Sequence, residues 1–96
     1  MARYAMLLKF TEKGITNIKD SPKRGAAFKE MAKKAGVTIE GLYWLLGEYD
    51  GLAILSAPDE NAATAVALSV ASLGNVRTCL CRAFDEAEFK EVLKKM

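Results

Sequence analysis

Three positive charges lie inside apolar, strand-like runs: Lys9 in residues 4–10, and Arg77 and Arg82 in residues 76–84. A charge so placed needs a partner or a ligand, because its desolvation is otherwise uncompensated. Two chemistries meet that need. One is pairing with Glu or Asp at the sheet ends or across an oligomer interface; the other is capture of a carboxylate or phosphate in a cleft. Tyr4, Tyr43, Trp44 and Tyr49 offer aromatic surface that could line such a cleft, or act as core and interface residues instead. Tyr4, Lys9, Tyr43, Trp44, Arg77 and Arg82 are therefore the candidate ligand-binding set. A second candidate is Gly47-Glu48-Tyr49-Asp50, whose carboxylates could do acid or base work. Its plainer role is a turn, with Asp50 bonding its own backbone and Glu48 solvated.

Much chemistry is excluded. The chain has no histidine, which removes Ser-His-Asp and Cys-His triads, the usual general base and the usual proximal haem ligand. No glycine-rich phosphate loop or dinucleotide fingerprint occurs, so no cofactor is expected and no catalytic residue is assigned. Cys79 and Cys81 stand two apart in a strand, share a face, and cannot close onto each other without breaking it. They read as small buried hydrophobes. A tetrahedral metal centre would need further ligands, so no metal is expected.

A length of 96 residues fits one domain spanning 1–96, and 51% hydrophobic with 27% charged residues fits a folded protein. The net charge of +2 is too small for a nucleic-acid partner, which would demand a concentrated basic face. No apolar run approaches the ~20 residues of a membrane span. Met1-Ala2-Arg3-Tyr4 leads straight into a strand-like run without a secretory h-region, so a cytoplasmic location is expected.

The elements that must position these residues follow in order. Residues 4–10 form a strand apolar on both faces. Thr11 caps a short helical turn over 13–19, Ser21-Pro22 interrupts it, and a main helix runs over 22–35 to Gly36. A strand over 37–46 carries a break at Gly41, suited to a bulge that shifts register. Asp50-Gly51 between apolar runs signals a tight hairpin, with Tyr49-Asp50 and Asp50-Gly51 as competing turn centres. After the strand over 52–56, Asp59 caps a helix to about Leu73, and Val76–Phe84 is the fourth strand. Asp85 and Glu88 form an acidic capping box, followed by Phe89, Val92, Leu93 and Met96 at helical spacing.

The order is βαββαβ plus a C-terminal helix, an α+β, ferredoxin-like arrangement: a four-stranded antiparallel sheet with helices on one face. Strands apolar on both sides would leave an open apolar face larger than monomers usually expose. A symmetric dimer, or a higher homo-oligomer, packing sheet on sheet is the resolution expected.

Lys9-Phe10-Thr11-x-x-Gly14-Ile15, Tyr43-Trp44, Gly47-Glu48-Tyr49-Asp50 and Gly74-Asn75-Val76-Arg77-Thr78, in this order, resemble the GYD domain family, small proteins named after a Gly-x-Tyr-Asp-type motif. The resemblance covers nearly the whole chain and implies a ferredoxin-like fold in the dimeric α/β-barrel group. It implies no reaction. That wider group holds small monooxygenases, haem-dependent enzymes and amino-acid-sensing domains, and the sensing domains carry a similar hairpin. Three functions stay open: a homo-oligomeric small-molecule binding or regulatory module, a cofactor-independent monooxygenase-like enzyme on an aromatic or quinol substrate, and a purely structural oligomer.

Overall fold

Alternation in the strands decides the layering. In the computed structural model, which describes residues 1–96, β1 (Ala2–Phe10) points Tyr4, Met6 and Leu8 to one side and Ala5, Leu7 and Lys9 to the other. β1 pairs antiparallel with β3 (Gly51–Ala57) and with β4 (Val76–Ala83), and β3 pairs antiparallel with β2 (Thr38–Trp44). The sheet order is therefore β2-β3-β1-β4, with both long connections on one face. This is the α+β, ferredoxin-like arrangement expected from the order of elements.

The helices begin and end where local chemistry dictates. Thr11 Oγ1 accepts from Gly14 N at 3.1 Å and so caps α1 (Glu12–Thr16). A single 3-10 turn, Ile18–Asp20, leads into α2 (Ser21–Lys34), which carries Pro22 in its first turn, where the missing N–H is harmless. Asp59 accepts from Ala62 N at 2.8 Å at the start of α3 (Glu60–Ser72). Asp85 and Glu88 form the full reciprocal capping box of α4 (Glu86–Leu93). No helix is long and apolar enough to cross a membrane.

The core lies between the sheet and α2 and α3. Tyr4, Met6, Ala53, Leu55 and Ala57 of the strands meet Phe28, Ala32, Ala63, Val66 and Ala67 of the helices. Alanines dominate the α3 side, which lets that helix approach the sheet closely. The register shift in β2 falls between Ile39 and Gly41, where a bulge was expected. The opposite face of the sheet has no covering element. α4 keeps Phe89, Val92 and Leu93 about half exposed, so its apolar stripe finds no partner within the chain.

The connection between β2 and β3 departs from the tight hairpin expected at Asp50-Gly51. β2 stops at Trp44, residues 45–50 form a longer loop, and Leu45 N donates to Asp50 O across its base at 2.8 Å. Gly51 is a buried strand residue against the Leu8 side chain. The turn residue is Gly47, with φ of 149°. Asp50 is drawn out of the turn because β1 uses it, as described next.

Candidate functional site

A cleft of about 410 Å³ opens between α2, α3 and the β1, β2 and β4 ends of the sheet. Its walls are apolar: Leu8 and Phe10 from β1, Phe28 and Met31 from α2, Leu42 and Trp44 from β2, and Val70 and Leu73 from α3. Gly25 on α2 makes room for the indole; a Cβ there would stand 3.0 Å from Leu42 Cδ2 and 3.3 Å from Trp44 Cη2. Trp44 Nε1 donates to the buried Ser21 Oγ at 2.9 Å, fixing the ring as one wall.

The polar groups of the cleft come from its rim. Lys13 Nζ donates to Leu73 O at 3.0 Å, and Arg24 donates to Asn17 O at 2.8 Å and Gly14 O at 3.3 Å. Neither cation has a carboxylate partner. Asp50 is the cleft's carboxylate, and its Oδ2 accepts from Phe10 N at 2.8 Å while its own N–H donates to Leu8 O at 2.8 Å. The side chain thus extends the β1–β3 ladder one step beyond the last backbone pair. Beside it, Thr11 N donates to Asn75 O at 3.0 Å and Thr11 Oγ1 donates to Gly74 O at 2.6 Å. Gly14 passes so close to this loop that a Cβ would lie 2.1 Å from Asn75 O.

The family model described as GYD domain matches residues 4–93. The chain belongs to the GYD domain family. No curated protein matches it. In this GYD domain the motif residues 9–15, 43–44, 47–50 and 74–78, separate in sequence, are brought together at one end of the sheet, around the cleft mouth. Asp50, Thr11, Gly14 and Asn75 act there as a clamp that holds three loops in register.

The residues singled out from sequence divide into three places. Trp44 is a cleft wall, and Tyr43 borders the cleft while its ring lies over Gly41. Lys9 and Arg77 are direct cross-strand neighbours on the open face, with Lys9 Nζ 5.9 Å from the centre of the Tyr49 ring. Tyr4 and Arg82 pair at the far end of the helix-covered face. There the guanidinium stacks 4.5 Å from Phe84, donates to the Arg3 and Ala83 carbonyls, and bonds Glu88 Oε2 at 2.9 Å. Arg82 thereby ties α4 to the sheet and takes no part in the cleft. Glu48 is solvent-exposed in the loop.

Sequence reasoning did not place Lys13 or Arg24 at a site, and it named Ser21 only as a helix break and Asn75 only within a motif. Lys13 and Arg24 sat among the many charges of a solvated helix face, and only the fold shows which two turn toward the mouth.

Two local fields shift titration. The Arg82 hydrogen bond, then the Asp85 backbone, hold the Glu88 carboxyl below its ordinary value. Arg3 is raised separately, first by its hydrogen bond to the Glu40 side chain at 3.2 Å. On the open face the Cys79 and Cys81 sulfurs are 4.0 Å apart, and this contact, with some burial, pushes the Cys81 thiol up. Both cysteines are exposed rather than buried as expected, because their side of β4 is the side without helices.

Proposed function

We propose that this GYD domain is a homo-oligomeric small-molecule-binding module whose cleft takes an apolar, aromatic or branched ligand bearing one anionic group. The observation that carries this reading is the cleft itself, an apolar cavity of about 410 Å³ within the ~300–1,000 Å³ typical of ligand pockets. Its polar groups favour an anion. Arg24 and Lys13 retain unused N–H donors after bonding backbone carbonyls, whereas Asp50 already accepts from Phe10 N. Two cations against one engaged carboxylate leave the mouth positive.

The open face supports self-association. Two rows, Gly41–Ile54–Ala5–Cys81 and Tyr43–Leu52–Leu7–Cys79, cross all four strands without a charge. A second copy presents the same rows and is self-complementary by symmetry, the isologous arrangement of a two-fold dimer. A dimeric α/β barrel closes in this way.

Trp44 is the sole tryptophan and a cleft wall, so its fluorescence reports occupancy directly. Titration with amino acids, organic acids and quinols should find a carboxylate that shifts its emission saturably and raises the melting temperature. The neutral amide of that compound should bind more weakly. Silence of both signals across the panel would end the cleft reading, and sedimentation as a stable monomer at micromolar concentration would end the dimer.

A further inference from the structure

We propose that the two sheets of the dimer pack with opposed strand directions, so that Lys9 and Arg77 of each copy meet the partner's Glu40 and Asp85. This arrangement rests on the self-association proposed above and gives it an orientation and an ion-pair register.

The open face has unlike ends. At one end Lys9 and Arg77 stand directly opposite each other on β1 and β4, both exposed and neither in an ion pair. Like charges so placed are unfavourable alone. Asp50, just before β3, is committed to Phe10 N. At the other end Arg3 lies between two carboxylates, with Glu40 Oε1 at 3.2 Å and Asp85 Oδ2 at 3.9 Å. One end is therefore positive, and the other holds a surplus negative charge. Between them run the two charge-free rows through Ala5 and Leu7. Lys9 and Arg3 stand about 20 Å apart along β1, at the usual rise of a strand.

A two-fold axis in the plane between two sheets runs either along the strands or across them. Along the strands, each row meets its own copy, and the Lys9–Arg77 rows bring four cations together without an acid. Burying them so is costly. Across the strands, at the level of Met6, the axis exchanges the ends. The Ala5 row then lies on the partner's Leu7 row, and Lys9 and Arg77 lie over the end that holds Glu40 and Asp85. Packed sheets are about 10 Å apart, a gap that facing Lys or Arg and carboxylate side chains can close.

The exposed area also fits a second copy. The chain exposes 6463 Å², whereas a compact monomer of 10.5 kDa exposes about 5,400 Å². The excess is on the scale of the ~800 Å² that each partner gives up in a standard interface.

The test is sedimentation equilibrium of the full chain and of opposed charge reversals. Lys9→Glu and Glu40→Lys should each weaken self-association by about tenfold or more. An equimolar mixture of the two should restore it, because the reversed charges then face each other across the copies. Arg77→Glu, on a different strand, should act as Lys9→Glu does. With like rows superposed, Lys9→Glu would instead tighten the dimer. The wild type supplies a readout that depends on no variant folding: added sodium chloride should weaken its dimer by screening the attraction. A dimer unchanged or tightened by Lys9→Glu, tightened by salt, or formed only with inorganic phosphate present would overturn this orientation and leave self-association standing. A wild-type chain that stays monomeric would overturn both.

Discussion

The two faces of one sheet obey different rules. On the side covered by α2 and α3, Met6, Ala53, Leu55 and Ala57 are fully buried, and no buried side-chain nitrogen or oxygen lacks a hydrogen bond. Across the same strands, Ala5, Leu7, Leu52 and Ile54 stay only partly buried, while Lys9 and Arg77 lack acidic partners. The covered face is complete within one chain; the open face is apolar and basic without anything to satisfy either property. Stability of the single chain therefore resides on one side of the sheet, and the self-association proposed above would use the other.

This difference predicts a large asymmetry between neighbouring positions. Leu55→Ala should lower unfolding stability by about 2–5 kcal/mol, the usual result of emptying a fully buried leucine site. Ile54→Thr, one residue away and still β-branched, should change the stability of the monomer by less than about 1 kcal/mol. Its main effect should be weaker self-association in sedimentation. Equal loss of stability from both substitutions, measured on monomers, would show that the open face is not a separate surface.

Asp50 belongs to neither face, since it joins the end of β1 to the loop before β3. Asp50→Ala removes the acceptor of Phe10 N and should cost about 1.5–3 kcal/mol, the range for a hydrogen bond to a charged group. Asp50→Asn retains an acceptor and should lose less. Chemical denaturation checks both, and a ligand signal lost from the asparagine variant at full stability would move Asp50 from clamp to binding site.

The elements themselves were readable because their rules are local. The caps at Asp59 and Asp85, the break at Gly41 and the interruption at Ser21-Pro22 each depend on residues within a turn of one another. The cleft was not readable, because its contacts join distant residues. Asp50 meets Phe10 across 40 positions, and Trp44 meets Ser21 across 23. A local rule assigned Asp50 to its own turn, and the longer-range strand contact won. Arg82, read as a strand charge that either pairs with an acid at the sheet end or binds a ligand, takes the first course with the capping-box residue Glu88. The apolar open face was legible as a pattern of doubly apolar strands, but that pattern said nothing of how Lys9, Arg77 and Arg82 would divide between the faces.

Trp44 and Ser21 provide a smaller contrast within the covered face. Trp44→Phe keeps an aromatic wall but leaves Ser21 Oγ without its donor, in a residue only 7% exposed. The expected loss is about 0.5–1.5 kcal/mol, the net worth of one ordinary hydrogen bond. Ser21→Ala in the same background should then cost almost nothing further, because the two residues act through one bond. A full additional loss in the double variant would show that Ser21 serves another partner.

The smallest expected effect lies at the far end of the covered face, in the Arg82–Glu88 pair. Glu88 is held below its ordinary value by Arg82 when folded, so its contribution is fully present above the unfolded glutamate value of about 4.3. It is lost as pH falls from there through the lower folded value. Glu88→Gln is a clean probe, because glutamine at this helix position still completes the capping box and only the charge is removed. The stability difference between wild type and variant should be small at neutral pH, shrink further with added salt, and vanish in acid. A difference that persisted once Glu88 is protonated in both the folded and unfolded states would mean that the side chain, rather than its charge, holds α4 against the sheet.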